Sequence, residues 1–105
     1  MRQVSEKRQA RARERDLIVQ RAFARDRWQC RAASLVAEVE CGGRLDPHEV
    51  IPRSAWADGI YDFDNVITVC RRHHDWIKQH ETEAHAVGLH GYSHERTDDG
   101  NPERH

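Results

Sequence analysis

Asp-Pro-His-Glu-Val-Ile-Pro-Arg-Ser (residues 46–54) is followed, nine residues later, by Asp-Asn-Val-Ile-Thr-Val-Cys-Arg-Arg-His-His (residues 64–74). A His, an Asn and a Cys-x-x-His-His cluster therefore lie within thirty residues. Imidazoles and thiolates at short spacings are the ligands that zinc prefers, whereas a carboxylate beside an imidazole suits a hard cation or a hydrolytic water. The two segments predict two metal sites in one small domain.

The residue pattern around these segments predicts an α+β fold. Pro47 interrupts a short alternating run, which indicates an edge strand or an extended arm. A β-branched run leads directly into Cys70, and Gly88 is a helix stop signal. The expected elements are strands at 44–51 and 66–69, a loop at 55–65, and helices at 71–83 and 83–87.

A structural zinc site is expected from four residues. Cys30 and Cys41 alone are a weak signal, although Gly42 and Gly43 leave room for backbone amides near a thiolate. The Cys-x-x-His spacing brings two further ligands into one helical turn and completes a closed set, the alternative being inert buried thiols. The predicted ligands are Cys30, Cys41, Cys70 and His73.

Composition explains why such a domain would need a metal. The chain has 105 residues, 37% hydrophobic and 33% charged, which is little apolar material for a core. Three cysteines are an odd number, and with no signal peptide in front they argue against a disulfide scaffold. No apolar run approaches the roughly 20 residues of a membrane span, so we expect a protein with no membrane partner, located in the cytoplasm.

Charge divides the chain into three parts. Residues 1–27 carry nine Lys or Arg against four acids, and residues 81–105 carry six acids against two Arg. Residues 1–27 are predicted to form a basic helical arm that docks through Leu17 and Ile18, with Trp28 as a further candidate. Its arginines either are solvated or contact nucleic acid. The predicted parts are the arm at 1–27, a metal-binding domain at 28–92 and a disordered acidic tail at 93–105.

With these residues in place, the chain resembles the HNH endonuclease family, especially small phage and bacterial members with a zinc-binding cysteine cluster. The resemblance covers about residues 30–89 and implies the ββα-metal (His-Me finger) fold, with a structural zinc beside a catalytic ion such as Mg²⁺, Mn²⁺ or Ni²⁺. It implies that His74 binds the catalytic ion and that Asn65 fixes the loop between the strands.

The general base stays open between two residues. Strict alignment with the family puts His48 at the metal-ligand position and Glu49 at the base position, so that Glu49 or a bound hydroxide takes the proton. A small shift of the strand would instead make His48 the base and bring Asp46, on the same strand face, to the metal. An unperturbed His pKa near 6.5 suits a base at neutral pH, which favours His48.

The predicted function is metal-dependent endonuclease or nickase activity on double-stranded DNA. The alternative is a zinc-stabilised DNA-binding or protein-interaction module without catalysis, for example one that docks on a phage packaging component. Arg53, Arg71 and Arg72 flank the site and are candidates for phosphate contacts. Four further histidines are expected to be exposed: His80, His85, His90 and His94.

Overall fold

A computed structural model of the chain describes residues 2–96, with side chains from residue 6 onward. The fold is α+β, as predicted. Its elements are α1 (Arg2–Arg25), β1 (Leu45–Glu49), β2 (Val66–Cys70), α2 (Arg71–Gln79) and α3 (Glu81–Ala86), with 3₁₀ turns at Ala57–Tyr61, Phe63–Asn65 and Ser93–Glu95. Among the described residues, no helix combines the length and the apolar character needed to cross a membrane.

The two strands form an antiparallel pair that sets the orientation of the site. Asp46 lies opposite Val69 and His48 lies opposite Ile67. Because side chains alternate along a strand, Asp46 and His48 share the buried face of β1, and Glu49 belongs to the other face. β1 is an edge strand, which is compatible with the missing N–H of Pro47.

β2 is buried along its whole length because elements pack on both of its sides. Ile67 and Val69 belong to the main core with Val36, Ile77 and Leu89, and α1 also contacts β2. The β-branched composition of this strand fits a fully buried position.

α1 docks through different residues from those expected. Ala22 and Phe23 are buried, whereas Leu17 is 52% exposed and Trp28 is 62% exposed. Arg27 and Trp28 have positive φ values of 56° and 58°, which turn the chain sharply after the helix and leave Trp28 outside, with its ring edge against Phe23. The predicted docking through Leu17 and Trp28 is therefore wrong, Trp28 because of this turn, whereas Ile18, the third residue predicted to dock, is half-buried.

The predicted long helix from residue 71 to residue 83 is interrupted at His80. The His80 Nδ1 lies 2.9 Å from the Trp76 carbonyl oxygen, and the two rings stack at 4.8 Å. The imidazole thereby gives a partner to a carbonyl at the end of α2, and α3 begins at Glu81. Gly88, with a φ of +82°, follows the end of α3 as predicted.

Two predicted parts of the chain are described only in part. Of the acidic tail, 93–105, the structure describes residues 93–96, which include the Ser93–Glu95 turn, and the rest lies outside the described residues. Of the basic arm, residues 6–14 are exposed. The arm and tail as functional units stay predictions.

Candidate metal centre and adjoining cleft

The four predicted zinc ligands come together in one cluster. Their ligand atoms all lie within 4.8 Å of one another. His73 Nδ1 is 3.2 Å from the Cys70 Sγ and 3.6 Å from the sulfurs of both Cys30 and Cys41. In residues 2–96 this is the only group of three or more Cys, His, Asp or Glu side chains that meets so closely.

Backbone contacts around β2 and α2 position the ligands. The Cys70 Sγ caps the start of α2 and accepts the His73 N–H at 3.4 Å. The Gly42 carbonyl accepts the N–H of Arg72, and a Cβ atom on Gly43, whose φ is +80°, would lie 2.7 Å from the Arg71 Cβ. Glycine is required at residue 43 by both its conformation and the close approach of α2.

The His73 ring is oriented for metal binding through Nδ1. Its Nε2 lies 3.0 Å from the Val36 carbonyl oxygen, and the residue is fully buried. Because a carbonyl only accepts, Nε2 carries the proton and Nδ1 keeps its lone pair toward the three sulfurs. A hydrogen bond of this kind to the second ring nitrogen is typical of ligand histidines.

The sulfurs differ in how readily they ionise. Burial disfavours the Cys70 thiolate, but the backbone N–H groups of His73 and Gly42 outweigh it and lower the pKa of Cys70 to about 6. Desolvation of the sulfur and the adjacent Cys70 and Cys30 raise the pKa of Cys41 to about 12, although Cys41 as a residue is exposed. Three crowded sulfurs resist joint ionisation unless a cation offsets their charge, so the donor set fits zinc.

A second cluster lies on the opposite side of α2. His74 Nδ1 is 3.1 Å from the Asp46 Oδ2, and the rings of His48 and His74 are 5.2 Å apart. Asp46 also accepts hydrogen bonds from Arg44 and Arg71, both at 3.0 Å. Burial would raise the pKa of Asp46, but these partners lower it to about 2, so it is a carboxylate that orients His74.

His48 is held as a neutral imidazole. Its Nε2 donates to the Leu89 carbonyl at 2.7 Å, which leaves Nδ1 with a free lone pair. Burial lowers the pKa of His48 to about 4, and the Leu89 carbonyl only partly offsets this. The argument from an ordinary His pKa, which favoured His48 as the base, therefore does not hold.

Asn65 ties the loop between the strands to the end of β1. Its Oδ1 accepts the Ile51 N–H at 2.8 Å, and its Nδ2 donates to the carbonyls of Ile51 and Gly59 at 3.1 and 3.2 Å. All three bonds are buried. Asn65 therefore fixes the loop between the two strands.

Glu49 is fixed by two guanidinium groups. Arg15 of α1 donates to the Glu49 Oε2 at 3.0 Å and to the Ile60 carbonyl at 2.6 Å, and Arg53 lies 3.5 Å from the Glu49 Oε1. The other two candidate phosphate-binding arginines lie on α2, where Arg71 pairs with Asp46 and the exposed Arg72 lies 3.9 Å from Glu40.

A cleft of about 140 Å³ joins the second cluster to the surface. It is lined by His48, Glu49, Pro52, Arg53, His74, Ile77, Lys78, Glu81 and His90. Arg15, Lys78 and His90 were not singled out as site residues from the sequence. Lys78 lies one helical turn after His74, so its place at the site could have been inferred from that spacing. Arg15 and His90 reach the site through contacts between residues far apart in sequence, which leave no local pattern. His90 was expected to be exposed, but it is buried.

Comparisons with protein-family models, curated proteins and solved structures found no match to this chain. The residues themselves define the class, a small α+β domain with a Cys₃His cluster able to hold a metal ion such as zinc.

Proposed function

We propose that the chain is an HNH-type, metal-dependent nuclease that hydrolyses phosphodiester bonds in double-stranded DNA, with the ββα-metal fold. The observation that carries the proposal is the placement of His48 on β1 and His74 on α2, with rings 5.2 Å apart on a shared cleft. Asn65, between them in sequence, anchors the connecting loop. This is the order and arrangement of the HNH motif that the sequence resembles.

His48 and His74 are the proposed ligands of the catalytic divalent ion, for which Mg²⁺, Mn²⁺ and Ni²⁺ are candidates. His48 offers Nδ1, because its Nε2 is bonded to Leu89. His74 offers Nε2, because its Nδ1 faces the Asp46 carboxylate. A bound divalent ion offsets the negative charge that develops on the phosphate and on the leaving oxygen during hydrolysis.

Glu49 is the proposed general base. Glu49 is one of the residues that line the cleft with His48 and His74, and its carboxylate is kept in place by Arg15. The Oε1 atom, with only the longer 3.5 Å contact to Arg53, is the oxygen better placed to take a proton from the attacking water. Asp46 acts through His74 as a positioning residue, since three donors already occupy its two oxygens.

Positive side chains near the cleft support DNA as the partner. Arg53 and Lys78 line the cleft itself, and Arg53 and Arg72 are each more than 60% exposed. The exposed part of α1 adds Lys7, Arg8, Arg11 and Arg13. Removal of residues 1–14, which spares Arg15, should weaken DNA binding and flatten its salt dependence, because fewer counterions are released.

The proposed activity is tested by nicking of supercoiled plasmid. Zinc-loaded protein is incubated with added Mg²⁺, Mn²⁺ or Ni²⁺, and the control omits the second metal, because a chelator would also remove zinc. We expect nicked or linear DNA with at least one of the three ions and none without them. Intact plasmid under all conditions, at protein concentrations that bind DNA, would contradict the proposal.

A second candidate function is a zinc-stabilised binding module without catalysis. It is favoured by one observation: although His74 and Asp46 meet at 3.1 Å, His48, His74 and the adjacent carboxylates do not form a group of three ligand atoms that all lie within 4.8 Å of one another, as the zinc ligands do. Such a module would bind DNA or a protein partner through its basic surface and leave the plasmid intact. The nicking assay separates the two candidates.

A further inference from the structure

Trp28 is the most exposed large apolar side chain in residues 6–96, at 62%. It belongs neither to the zinc ligands nor to the lining of the proposed catalytic cleft. Single exposed apolar side chains are common on protein surfaces and by themselves indicate nothing. Trp28 differs because the backbone that carries it is strained, so its exposed position is maintained at a cost in free energy.

The strain lies in the turn that ends α1. Arg27 donates its N–H to the Ala24 carbonyl at 3.0 Å, and Trp28 donates its N–H to the Phe23 carbonyl at 2.9 Å. This pair of hydrogen bonds is a common helix end, in which glycine usually occupies the place of Arg27. Here both Arg27 and Trp28 have positive φ values, which are unfavourable for residues with large side chains. Strained residues of this kind cluster at binding and catalytic sites.

Contacts with β2 hold the strained turn in place. The buried Asp26 carboxylate accepts the Thr68 N–H at 3.0 Å and also accepts from the guanidinium groups of Arg25 and Arg31. The Arg31 N–H donates to the Thr68 carbonyl at 2.8 Å. Residues on both sides of Trp28 are therefore fixed to one strand, and the backbone presents the indole ring in a defined position.

The Trp28 ring keeps at least one face uncovered. It meets the Phe23 ring at a centroid distance of 5.1 Å and an interplanar angle of 81°, and such a perpendicular contact covers at most one of its two faces. The other exposed aromatic rings in the described part of the chain are engaged. The Arg25 guanidinium lies 4.5 Å from the centre of the Phe63 ring, and Tyr92 contacts three histidine rings.

The residues around Trp28 carry an excess of positive charge. Residues 25–31 contain three arginines and one acid, Asp26. Arg25 and Arg31 pair with Asp26, whereas the exposed Arg27 forms no ion pair within the residues that the structure describes. An open aromatic face beside an uncompensated guanidinium is complementary to a nucleotide, because its base stacks and its phosphate is negative. Bases inside a duplex are already stacked on one another, so the partner is an unpaired nucleotide.

We propose that Arg27 and Trp28 form a stacking platform for an unpaired nucleotide of DNA, with the base on the indole and the phosphate on the guanidinium. The proposal rests on the DNA binding of the proposed function and narrows its substrate to duplex DNA that adjoins unpaired nucleotides, as at a single-stranded extension. Arg15 contacts Glu49 at the cleft, and Arg25 lies about 15 Å farther along α1. The stacking platform therefore binds DNA at a distance from the bond that is cleaved.

Fluorescence titration of zinc-loaded protein with oligothymidylate tests the stacking platform, and no second metal is added, so that no DNA is cleaved. We expect quenching of tryptophan emission. Trp28→Phe should abolish most of the quenching but keep the parental affinity, because phenylalanine also stacks on bases. Trp28→Ala should weaken binding about tenfold, within the range that stacking of one base contributes. Leu17→Ala is the matched control, because Leu17 is an exposed apolar residue of α1 without a ring, and it should bind as the parent does.

A blunt DNA duplex and the same duplex with a single-stranded extension separate stacking from general electrostatic binding. The parent should prefer the extended duplex, and Trp28→Ala should lose this preference while its affinity for the blunt duplex is unchanged. Arg27→Gln should weaken binding to the extended duplex and reduce its salt dependence, because one phosphate contact is lost. Equal affinity of the parent for the two duplexes would overturn the proposal.

Trp28→Leu covers the case in which Trp28→Ala does not fold, because it keeps an apolar side chain beside Phe23 but has no aromatic face. Zinc content and melting temperature verify each variant. Parental affinity for oligothymidylate in a folded Trp28→Ala or Trp28→Leu protein would overturn the proposal. Self-association of the parent that depends on Trp28 would do the same, because a second copy would then cover the ring.

The proposed nuclease function fails separately from the stacking platform. A parent that needs Trp28 to bind oligothymidylate but leaves plasmid intact keeps the stacking platform and loses the catalysis. Plasmid nicking by a protein whose oligothymidylate binding does not depend on Trp28 keeps the nuclease and overturns the stacking platform.

Discussion

His73 and His74 are consecutive residues of α2, yet their side chains belong to different clusters. His73 Nδ1 lies 3.2 Å from the Cys70 Sγ, and His74 Nδ1 lies 3.1 Å from the Asp46 Oδ2. Successive side chains of an α-helix point about 100° apart. One turn of α2 can therefore serve a structural metal on one side and the proposed catalytic ion on the other.

The first prediction concerns the zinc ligands. His73→Ala should remove stoichiometric zinc and unfold the domain, because structural zinc contributes apparent binding energy on the order of 10 kcal/mol in small domains. Metal analysis and thermal melting of the purified protein provide the measurement. His80→Ala is a control, since His80 lies on the same helical segment and contacts Trp76 rather than the sulfurs.

A His73→Ala protein that kept one zinc and the parental melting temperature would remove His73 from the ligand set. The same analysis applied to Cys41→Ala tests the most exposed ligand.

The second prediction concerns Asn65 as the anchor of the loop. Asn65→Ala would leave the buried Ile51 N–H and Ile51 carbonyl without partners, whereas the Gly59 carbonyl keeps the Asp62 N–H, and we expect a loss of at least about 2 kcal/mol in the free energy of unfolding. Urea denaturation measures it. The neighbouring exposed Asp64→Ala should change stability by less than about 0.5 kcal/mol. Equal stability of the two variants would show that the loop does not depend on Asn65.

The third prediction concerns the Arg15–Glu49 pair. Glu49→Gln keeps the side-chain shape but cannot accept a proton, so nicking should fall by about 10²- to 10⁴-fold. Arg15→Gln should also reduce nicking, because it releases one constraint on the carboxylate. If Arg15 acts through Glu49, the double variant should be no slower than Glu49→Gln alone.

Arg21→Gln is the control for Arg15, because it removes the same charge from an exposed position of α1 that is not among the proposed DNA contacts. Additive losses in the double variant would show that Arg15 acts independently of Glu49, for example on DNA.

The fourth prediction concerns Asp26, which connects α1 to β2. Its side chain is 1% exposed and accepts hydrogen bonds from Arg25, Arg31 and the Thr68 N–H. Burial alone would raise the pKa of Asp26, but these donors hold it well below its usual range. A depressed folded-state pKa stabilises the fold above about pH 4, and this contribution disappears as the pH falls further.

Asp26→Asn should therefore destabilise the fold at pH 7 by about 1.5–3 kcal/mol, the usual contribution of hydrogen bonds to a charged group, because the side chains of Arg25 and Arg31 are 26% and 49% exposed and are not left as buried charges. Exposed Asp16→Asn should change the free energy of unfolding by less than about 0.5 kcal/mol. A negligible loss in Asp26→Asn would mean that the Asp26 carboxylate does not help to hold α1 on β2.

Local patterns account for much of what the sequence predicted. Short local patterns, such as the Cys-x-x-His turn, predicted the two strands, the helix after Cys70 and the zinc ligands. The structure contains both strands and this helix, and the four ligand residues form one cluster. Long-range contacts account for what it missed. Arg15 reaches Glu49 across 34 residues, and the burial of His90 depends on contacts of its neighbours with β1.

The pKa of His48 likewise depends on contacts that a sequence pattern does not reveal. Sequence reasoning could use only the ordinary imidazole value, whereas burial at the Leu89 carbonyl moves the pKa to about 4. Burial is a property of the assembled fold, so the shift in the pKa of His48 could not be predicted from the sequence.

The central claim of the account is that His73 binds the structural zinc and the adjacent His74 binds a separate catalytic ion. It is tested most directly on one variant, His74→Ala, with zinc content and plasmid nicking measured on the same sample. The account predicts one zinc per chain, the parental melting temperature and no nicking with added Mg²⁺, Mn²⁺ or Ni²⁺, because only the proposed catalytic ion loses a ligand. A His74→Ala protein that holds one zinc and nicks plasmid as fast as the parent would contradict it.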